Sequence, residues 1–333
     1  MPARSMACLL CAGLAAAWLP GCAAAQETAT AQETATAQDT AAAPAPELAS
    51  TDATSQAASA DPADTAPPQP VDPWTITLSA GLSNRDDGPD GSWQTLSLTR
   101  QIGRGYVRGG VMRYHGTLIQ ADTALPSDYY VGTLGAGGNF DNWVIDGWAS
   151  YGRQVYGKIS TDWGSRQSSG ARSSAYYALG GDFGRIFPLS PRWFVTPTIV
   201  GSYAQGRLLR PAPTGTGLVD LETREPTWTL GSTVRLDHAF GENGDHYAGI
   251  SLSRNWTSNA VSQVKVGQFE SLEEIPRSGL LDSRHYSDGW WEVGISANMK
   301  LADRLHLDLY ASRSFDALAG NTISGGISLR KAF

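Results

Sequence analysis

Twelve runs of period-two alternation, joined by connections that are alternately short and long, constrain this chain more than any motif in it. The runs begin near residues 74, 93, 105, 128, 143, 174, 193, 227, 246, 290, 305 and 322. In the last of them Phe333, Lys331, Leu329, Ile327, Gly325 and Ile323 share one face. Ala332, Arg330, Ser328, Gly326, Ser324 and Thr322 share the other. Side chains alternate across a strand, so each run presents one apolar and one polar or small face. The short connections are Gly103-Arg104-Gly105, Asp141-Asn142, Pro188 to Arg192, Gly241 to Asp245 and Leu301 to Arg304. All are rich in turn-forming residues. The long ones fall at 84–91, 116–127, 157–173, 206–226, 257–289 and 316–321. An up-and-down meander produces such parity, whereas a soluble sandwich has no reason to place every long loop at one end. No run of 18 apolar residues occurs, so a helical membrane span is excluded.

The first 73 residues read differently. Arg4 precedes an apolar stretch from Ala7 to Leu19, too short at 13 residues for a bilayer that needs about 20, so 1–22 is expected to be a signal peptide. Leu19-Pro20-Gly21-Cys22 is similar to a lipobox, which makes Cys22 the expected lipidation site, while Ala23-Ala24-Ala25 offers a competing cleavage site. The three cysteines, Cys8, Cys11 and Cys22, all lie in or beside this leader, leaving no disulfide framework or thiolate metal site downstream. Residues 23–73 repeat Gln-Glu-Thr-Ala-Thr-Ala and then turn proline-rich. They carry eight acidic residues and no Lys, Arg or aromatic, so this linker is expected to be disordered. Together with Arg4 it accounts for the whole formal charge of −7, leaving 74–333 neutral and without a nucleic-acid signature.

The fold class expected for 74–333 is all-β: a 12-stranded antiparallel up-and-down transmembrane β-barrel preceded by a disordered N-terminal segment. Its terminal strand, ending on an aromatic, is similar to that of bacterial outer-membrane barrels, with an apolar outside and a polar inside. Trp74, Trp143, Trp193, Trp228, Trp290 and Trp291 stand where interfacial aromatic girdles occur. On the opposite face fall Arg108, Asp146, Asp182, Arg235, Asp237, Glu292, Lys300, His306, Asp308 and Arg330, expected to line a wet lumen.

Two stretches carry a family resemblance. One runs from Tyr176 through Gly180-Gly181-Asp182-Phe183-Gly184-Arg185 to Trp193-Phe194-Val195-Thr196-Pro197-Thr198. The other is Asp282 to Leu329, with Gly289-Trp290-Trp291-Glu292-Val293-Gly294. Over about 74–333 the chain resembles the translocator domain of autotransporters, the type V secretion family. The resemblance implies a non-enzymatic, polar-lined pore in the outer membrane of a Gram-negative bacterium, both barrel termini periplasmic. In that family a passenger precedes the barrel and a short helix threads it. Here no passenger is recognisable, and Ala66 to Pro73 has too many prolines for a helix.

An alternative is a standalone channel or surface-binding, adhesin-like barrel acting through its extracellular loops. A barrel hydrolase is a third reading, because Asp86-Asp87 and His285 with Asp288 are similar to the acid and histidine–acid pairs of omptin proteases. His238 and Ser232, six residues apart, are too distant along a strand to act together. No catalytic, cofactor or metal residues are expected. Expected partners are outer-membrane lipid and lipopolysaccharide, and assembly machinery that reads Phe333, Leu329 and Ile327 of the last strand. The protein is expected to be monomeric.

Overall fold

The computed structural model describes residues 39–40, 74–86, 88–120, 123–161, 164–212, 217–241, 244, 246–264 and 279–333. Cys22, Asp87 and most of the 23–73 linker lie outside these residues. Twelve long strands form the barrel: β1 (Trp74–Arg85), β2 (Gly88–Ile102), β3 (Gly105–Gln120), β4 (Thr123–Phe140), β5 (Trp143–Tyr156), β6 (Ser173–Arg185), β7 (Trp193–Arg210), β8 (Leu221–Phe240), β9 (His246–Val264), β10 (Ser283–Ala302), β11 (Leu305–Phe315) and β12 (Thr322–Ala332). Each pairs antiparallel with its sequence neighbour. The ring closes where β12 meets β1, from Thr322↔Arg85 to Ala332↔Thr75. Beyond that seam Phe333 N–H donates to Trp74 O at 2.9 Å, so both ends of the barrel lie together at the short-turn rim. Away from the ring, Asp39–Thr40 pair with Ser262 and Gln263 of β9.

Alternation along each strand becomes two faces. On β4 and β5, Leu134 and Tyr151 are 73% and 69% exposed, while their neighbours Thr133 and Ser150 are 4% and 6% exposed and share a hydroxyl hydrogen bond. The outward face is apolar and edged with aromatics: Phe140, Trp143, Trp193 and Phe333 at the short-turn rim, Tyr130, Tyr151, Trp228 and Trp291 toward the long-loop rim. Tyr130 and Phe140 stand ten positions apart on β4. At about 3.3 Å per residue and a tilt of about 40°, that is an apolar band roughly 25 Å tall, the height of an outer-membrane hydrocarbon layer. Lys331 shares this outward face and turns its Nζ back to Asp303 O at 3.2 Å, at the rim.

Several expectations are corrected. The strand starts at the short-turn rim stand where expected, at 74, 105, 143, 193, 246 and 305. At the long-loop rim, strands begin earlier than read, at 88, 123, 173, 221 and 283. The link expected at 116–127 is therefore mostly β-hairpin, with Thr117↔Pro126 and Gln120↔Thr123 in register. Pro188 to Arg192 is not all turn: Phe187–Ser190 is a short strand against Trp193–Val195, with a register shift after Pro188. Trp290 faces inward and is buried, so it is no part of a girdle.

The inner wall is also less uniformly polar than read. Met112, Tyr114, Tyr129, Val131, Trp148 and Tyr176 form one buried cluster on its β3–β7 side. Tyr129 meets Tyr114 and Tyr176 edge-on, both at 5.9 Å. Glycines make room for such rings: the Trp148 indole lies over Gly180, where an added Cβ would come within 2.6 Å of it.

Candidate functional site

Above the long-loop aromatic rim the wall of the barrel parts. β7 pairs with β6 only from Thr198↔Gly184 to Gln205↔Tyr177. β8 pairs with β9 only from Phe240↔His246 to Thr229↔Thr257. Beyond these points β7 and β8 pair with each other, up to Arg210↔Leu221. Residues 206–210 and 221–228 thus form a two-stranded arm that has left both wall neighbours.

Burial shows where the arm goes. A ribbon continuing the wall upward would keep one wet face, yet Leu208, Leu209, Arg210, Leu221, Glu222, Thr223 and Glu225 are all buried. Three successive buried residues on each strand require cover on both faces. Leu208 and Leu209 join Leu125 of β4, Tyr156 of β5, Ile159, Ala260 and Val261 of β9, and Ala319 in one apolar cluster. Leu280–Leu281 pair in parallel with Glu222 and Thr223 along the arm's other edge. β4 and β9 are five places apart in a ring of twelve, so the arm lies across the mouth between them.

Three carboxylates of the arm and its connecting loop are clasped by three arginines. Arg166, from the short strand Gly164–Arg166 of the β5–β6 link, donates Nη1 and Nη2 to the two oxygens of Asp220 at 2.6 and 2.7 Å. Ala212 and Ser169 add backbone N–H donors at 2.7 and 2.8 Å. Burial alone would raise the Asp220 carboxyl, but Arg166 and these amides hold it down at about 2. Glu222 accepts from Tyr156 Oη at 2.8 Å and Arg207 Nη1 at 3.0 Å. Burial and the adjacent Glu222 push the Tyr156 hydroxyl up, so it remains a neutral donor.

Glu225 is the third. It accepts from Arg210 Nη2 at 3.3 Å, Ser262 Oγ at 2.9 Å and Asn259 Nδ2 at 3.0 Å, and from Thr223 Oγ1. His285 Nε2 lies 3.2 Å from Oε2, the oxygen that Asn259 also bonds. Against the upward pull of burial, His285 and Arg210 hold the Glu225 carboxyl below its usual range. Burial lowers the Arg210 guanidinium to about 10. The Asp220–Arg166 and Glu225–Arg210 pairs are therefore ionised at neutral pH.

Of the hydrolase pairs, His285 and Asp288 bond elsewhere, and Asp87 lies outside the described residues. Asp288 Oδ2 accepts Leu318 N–H at 2.8 Å, while His285 turns to Glu225. Ser283 Oγ also lies 2.9 Å from His285 Nε2. A serine relay needs its nucleophile and its acid on opposite ring nitrogens, whereas here both meet Nε2, so the trio clasps β10 to the arm. Asp86 is drawn to Arg313, at 3.9 Å. His238 stacks on Trp193, centroids 4.4 Å apart. No group of three potential metal ligands occurs among the described residues.

Lower in the barrel, the face opposite the apolar band carries Arg108 bonded to Asp146 at 2.9 Å, with Tyr106 Oη on the same carboxylate. Arg235 bonds Asp237 and Ser296, each at 2.8 Å. Arg330 reaches Asp308 at 3.5 Å, and Asn298 donates to the same aspartate. Glu292 accepts from Ser312 and Trp290, and His306 sits in register between Lys300 and Arg330. Phe333, Leu329 and Ile327 are exposed on the outward face.

Sequence reasoning missed the arm, having read 206–226 as loop. One signal lay in the spacing of its charges, Arg207 and Arg210 on one strand and Glu222 and Glu225 on the next, which pair diagonally across the ladder.

The sequence model for the autotransporter beta-domain matches residues 99–312. No curated protein matches the sequence. Among solved structures, the translocator domain of the autotransporter NalP from Neisseria meningitidis is similar at a TM-score of 0.59 and 14% identity, over 78% of this chain and 88% of that one. The beta domain of the Bordetella autotransporter BrkA gives a TM-score of 0.48 at 14% identity, over 78% of this chain and 98% of that one. The transport unit of AIDA-I from Escherichia coli gives 0.47 at 11% identity, over 81% and 93%. At such identities the NalP likeness is one of fold.

Proposed function

The chain belongs to the autotransporter β-domain family, and from that membership we propose a non-enzymatic, translocator-type barrel whose cargo is its own acidic 23–73 segment. The observation carrying this reading is the Trp74–Phe333 seam, because Trp74, to which the segment is joined, stands at the short-turn rim. That rim is taken as periplasmic, so the long-loop rim and the arm face the outside of a Gram-negative cell. The Arg108–Asp146, Arg235–Asp237 and Arg330–Asp308 pairs would then line a polar conduit suited to an extended chain without aromatics. The Asp39–Thr40 pairing at the far rim is a contact that a threaded segment would make. Ile327, Leu329 and Phe333 would serve as the assembly signal, and the outward band as the surface for outer-membrane lipid and lipopolysaccharide.

A second reading, a standalone channel, is favoured by the arm, since a barrel that has nothing to export still needs its mouth closed. An epitope inserted near Ser50 separates the two. Antibody labelling of intact cells is expected if the segment passes through the pore. Labelling only after permeabilisation would leave the segment in the periplasm and select the standalone channel.

A further inference from the structure

We propose that the β7–β8 arm is the gate of a conducting pore, shut by its carboxylate–arginine clasp and opened by swinging back about the points where β7 leaves β6 and β8 leaves β9. The inference stands whichever way the 23–73 segment runs, because it concerns the mouth alone.

The arm has the anatomy of a moving part. Its base is defined by the last wall pairs, Gln205↔Tyr177 and Thr229↔Thr257. Past them it is held to its surroundings almost wholly by side chains, apart from the two-residue parallel pairing with Leu280–Leu281. Those side-chain contacts combine the apolar cluster around Leu208 and Leu209 with a few concentrated polar ties. Arg166 holds Asp220 from the β5–β6 link, Tyr156 holds Glu222 from β5, and His285 with Ser262 holds Glu225 from β10 and β9. Backbone ladders fix a wall, whereas a few buried ion pairs fix a position that is lost when one partner is neutralised.

Around the arm, the β5 side and its link carry Tyr156, Lys158, Arg166 and Arg172. β10 and the loop before it carry Asp282, Arg284, His285 and Tyr286. The arm and its loop bring Arg207, Arg210 and Arg224 with Asp220, Glu222 and Glu225. Asp220 is tied across to Arg166 of the β5–β6 link and Glu225 to His285 of β10 and Ser262 of β9, so loss of their charge breaks ties between the arm and its surroundings, whereas Arg207 and Arg210 belong to the arm and move with it. Asp220 and Glu225 both have depressed folded-state values, so their contribution is present above the unfolded value near 4 and lost as the pH falls, for Asp220 through about 2. Opening therefore follows acidification, not alkalinisation.

The test is single-channel conductance of the full-length protein in planar bilayers. Wild type at neutral pH is expected to be closed for most of the record. Its open fraction should rise reversibly as the long-loop side is acidified from about pH 4 toward 2. The double variant Asp220→Asn with Glu225→Gln should show an open fraction higher on the order of tenfold or more at neutral pH, as befits a buried pair stripped of one charge. A second variant, with 207–224 replaced by Asn-Gly, sets the fully open level without relying on the charge substitutions. Circular dichroism and heat-modifiable migration of each variant establish that the barrel has folded. Wild-type conductance equal to that of the arm-less barrel would overturn the gate. So would an arm-less barrel that conducts no better than wild type, because the constriction would then lie elsewhere.

Discussion

Asp220 accepts from Arg166 through both of its oxygens and from the backbone of Ala212 and Ser169, with almost no contact with water. A carboxylate so provided for is worth more to the closed arm than any exposed ion pair of this barrel, such as Arg104–Asp141. Neutralising it leaves the Arg166 guanidinium facing an amide, with the amide's N–H₂ directed at donors. Asp220→Asn is therefore expected to loosen the arm locally at neutral pH, at less than the about 3–5 kcal/mol of a fully buried pair, because the Arg166 side chain is 37% exposed. The sign of its pH dependence follows from the depressed value near 2: stability is present above about 4 and lost below it. The difference in amide hydrogen exchange between wild type and Asp220→Asn, read over 221–225, should thus be large at pH 7 and shrink as the pH falls through that window. An exchange difference independent of pH would assign the effect to shape instead of charge. Tyr156→Phe gives a gentler version: Glu222 keeps Arg207 but loses one donor, about 1–3 kcal/mol if nothing replaces it.

Hairpins obey different rules at the two ends of the barrel. At the short-turn rim the chain reverses in a few residues, and backbone geometry selects the sequence. Asp141 and Asn142 both have positive φ, 55° and 70°, joining Phe140 directly to Trp143. That pair of values is what a two-residue hairpin turn with the right twist requires, and Asn, Asp and Gly supply it. Asn142→Val is expected to lower the barrel's stability by about 1–2 kcal/mol, and Asn142→Gly to leave it unchanged, measured by urea unfolding in lipid vesicles. Such constraints are local, which is why the strand starts near 74, 105, 143, 193, 246 and 305 are legible in the sequence.

At the long-loop rim only the β1–β2 and β3–β4 links are so short, closing at Arg85↔Gly88 and Gln120↔Thr123, and the other links are longer. There β2, β4, β8 and β10 continue past the apolar band into water, where alternation of apolar and polar residues is no longer selected. Polar runs such as Thr223-Arg224-Glu225 then read as loop although they are strand. The arm depends on this blind spot. Its residues are buried by tertiary contact with β4, β5, β9 and β10, at sequence separations no local pattern encodes. The inward tyrosines were hidden for a similar reason. Period two gives the face of Tyr114, Tyr129 and Tyr176, but not that the three would meet across β3, β4 and β6.

Taken as a whole, the ring has an interior to close. Twelve strands about 4.8 Å apart, tilted about 40°, give a backbone radius of about 12 Å, too wide for inward side chains alone to fill. The aromatic cluster thickens one side of the wall, and the arm covers the mouth. The outside of the same ring states the solvent it was built for. Leu134 stands between Tyr130 and Phe140 on β4, the most exposed large apolar residue of the barrel, with Leu82, Tyr151 and Leu189 close behind. In water, replacing so exposed a leucine by arginine would change stability by no more than about 0.5 kcal/mol. In hydrocarbon the same change at mid-depth costs about 2–4 kcal/mol, falling to about 0–1 near the interface. Leu134→Arg and Phe140→Arg, compared by urea unfolding in lipid vesicles, should therefore differ by roughly 2 kcal/mol or more, with the mid-band variant the weaker. Equal losses at the two depths would mean that the outward face is not graded by a bilayer, and the membrane assignment of the band would fail with it.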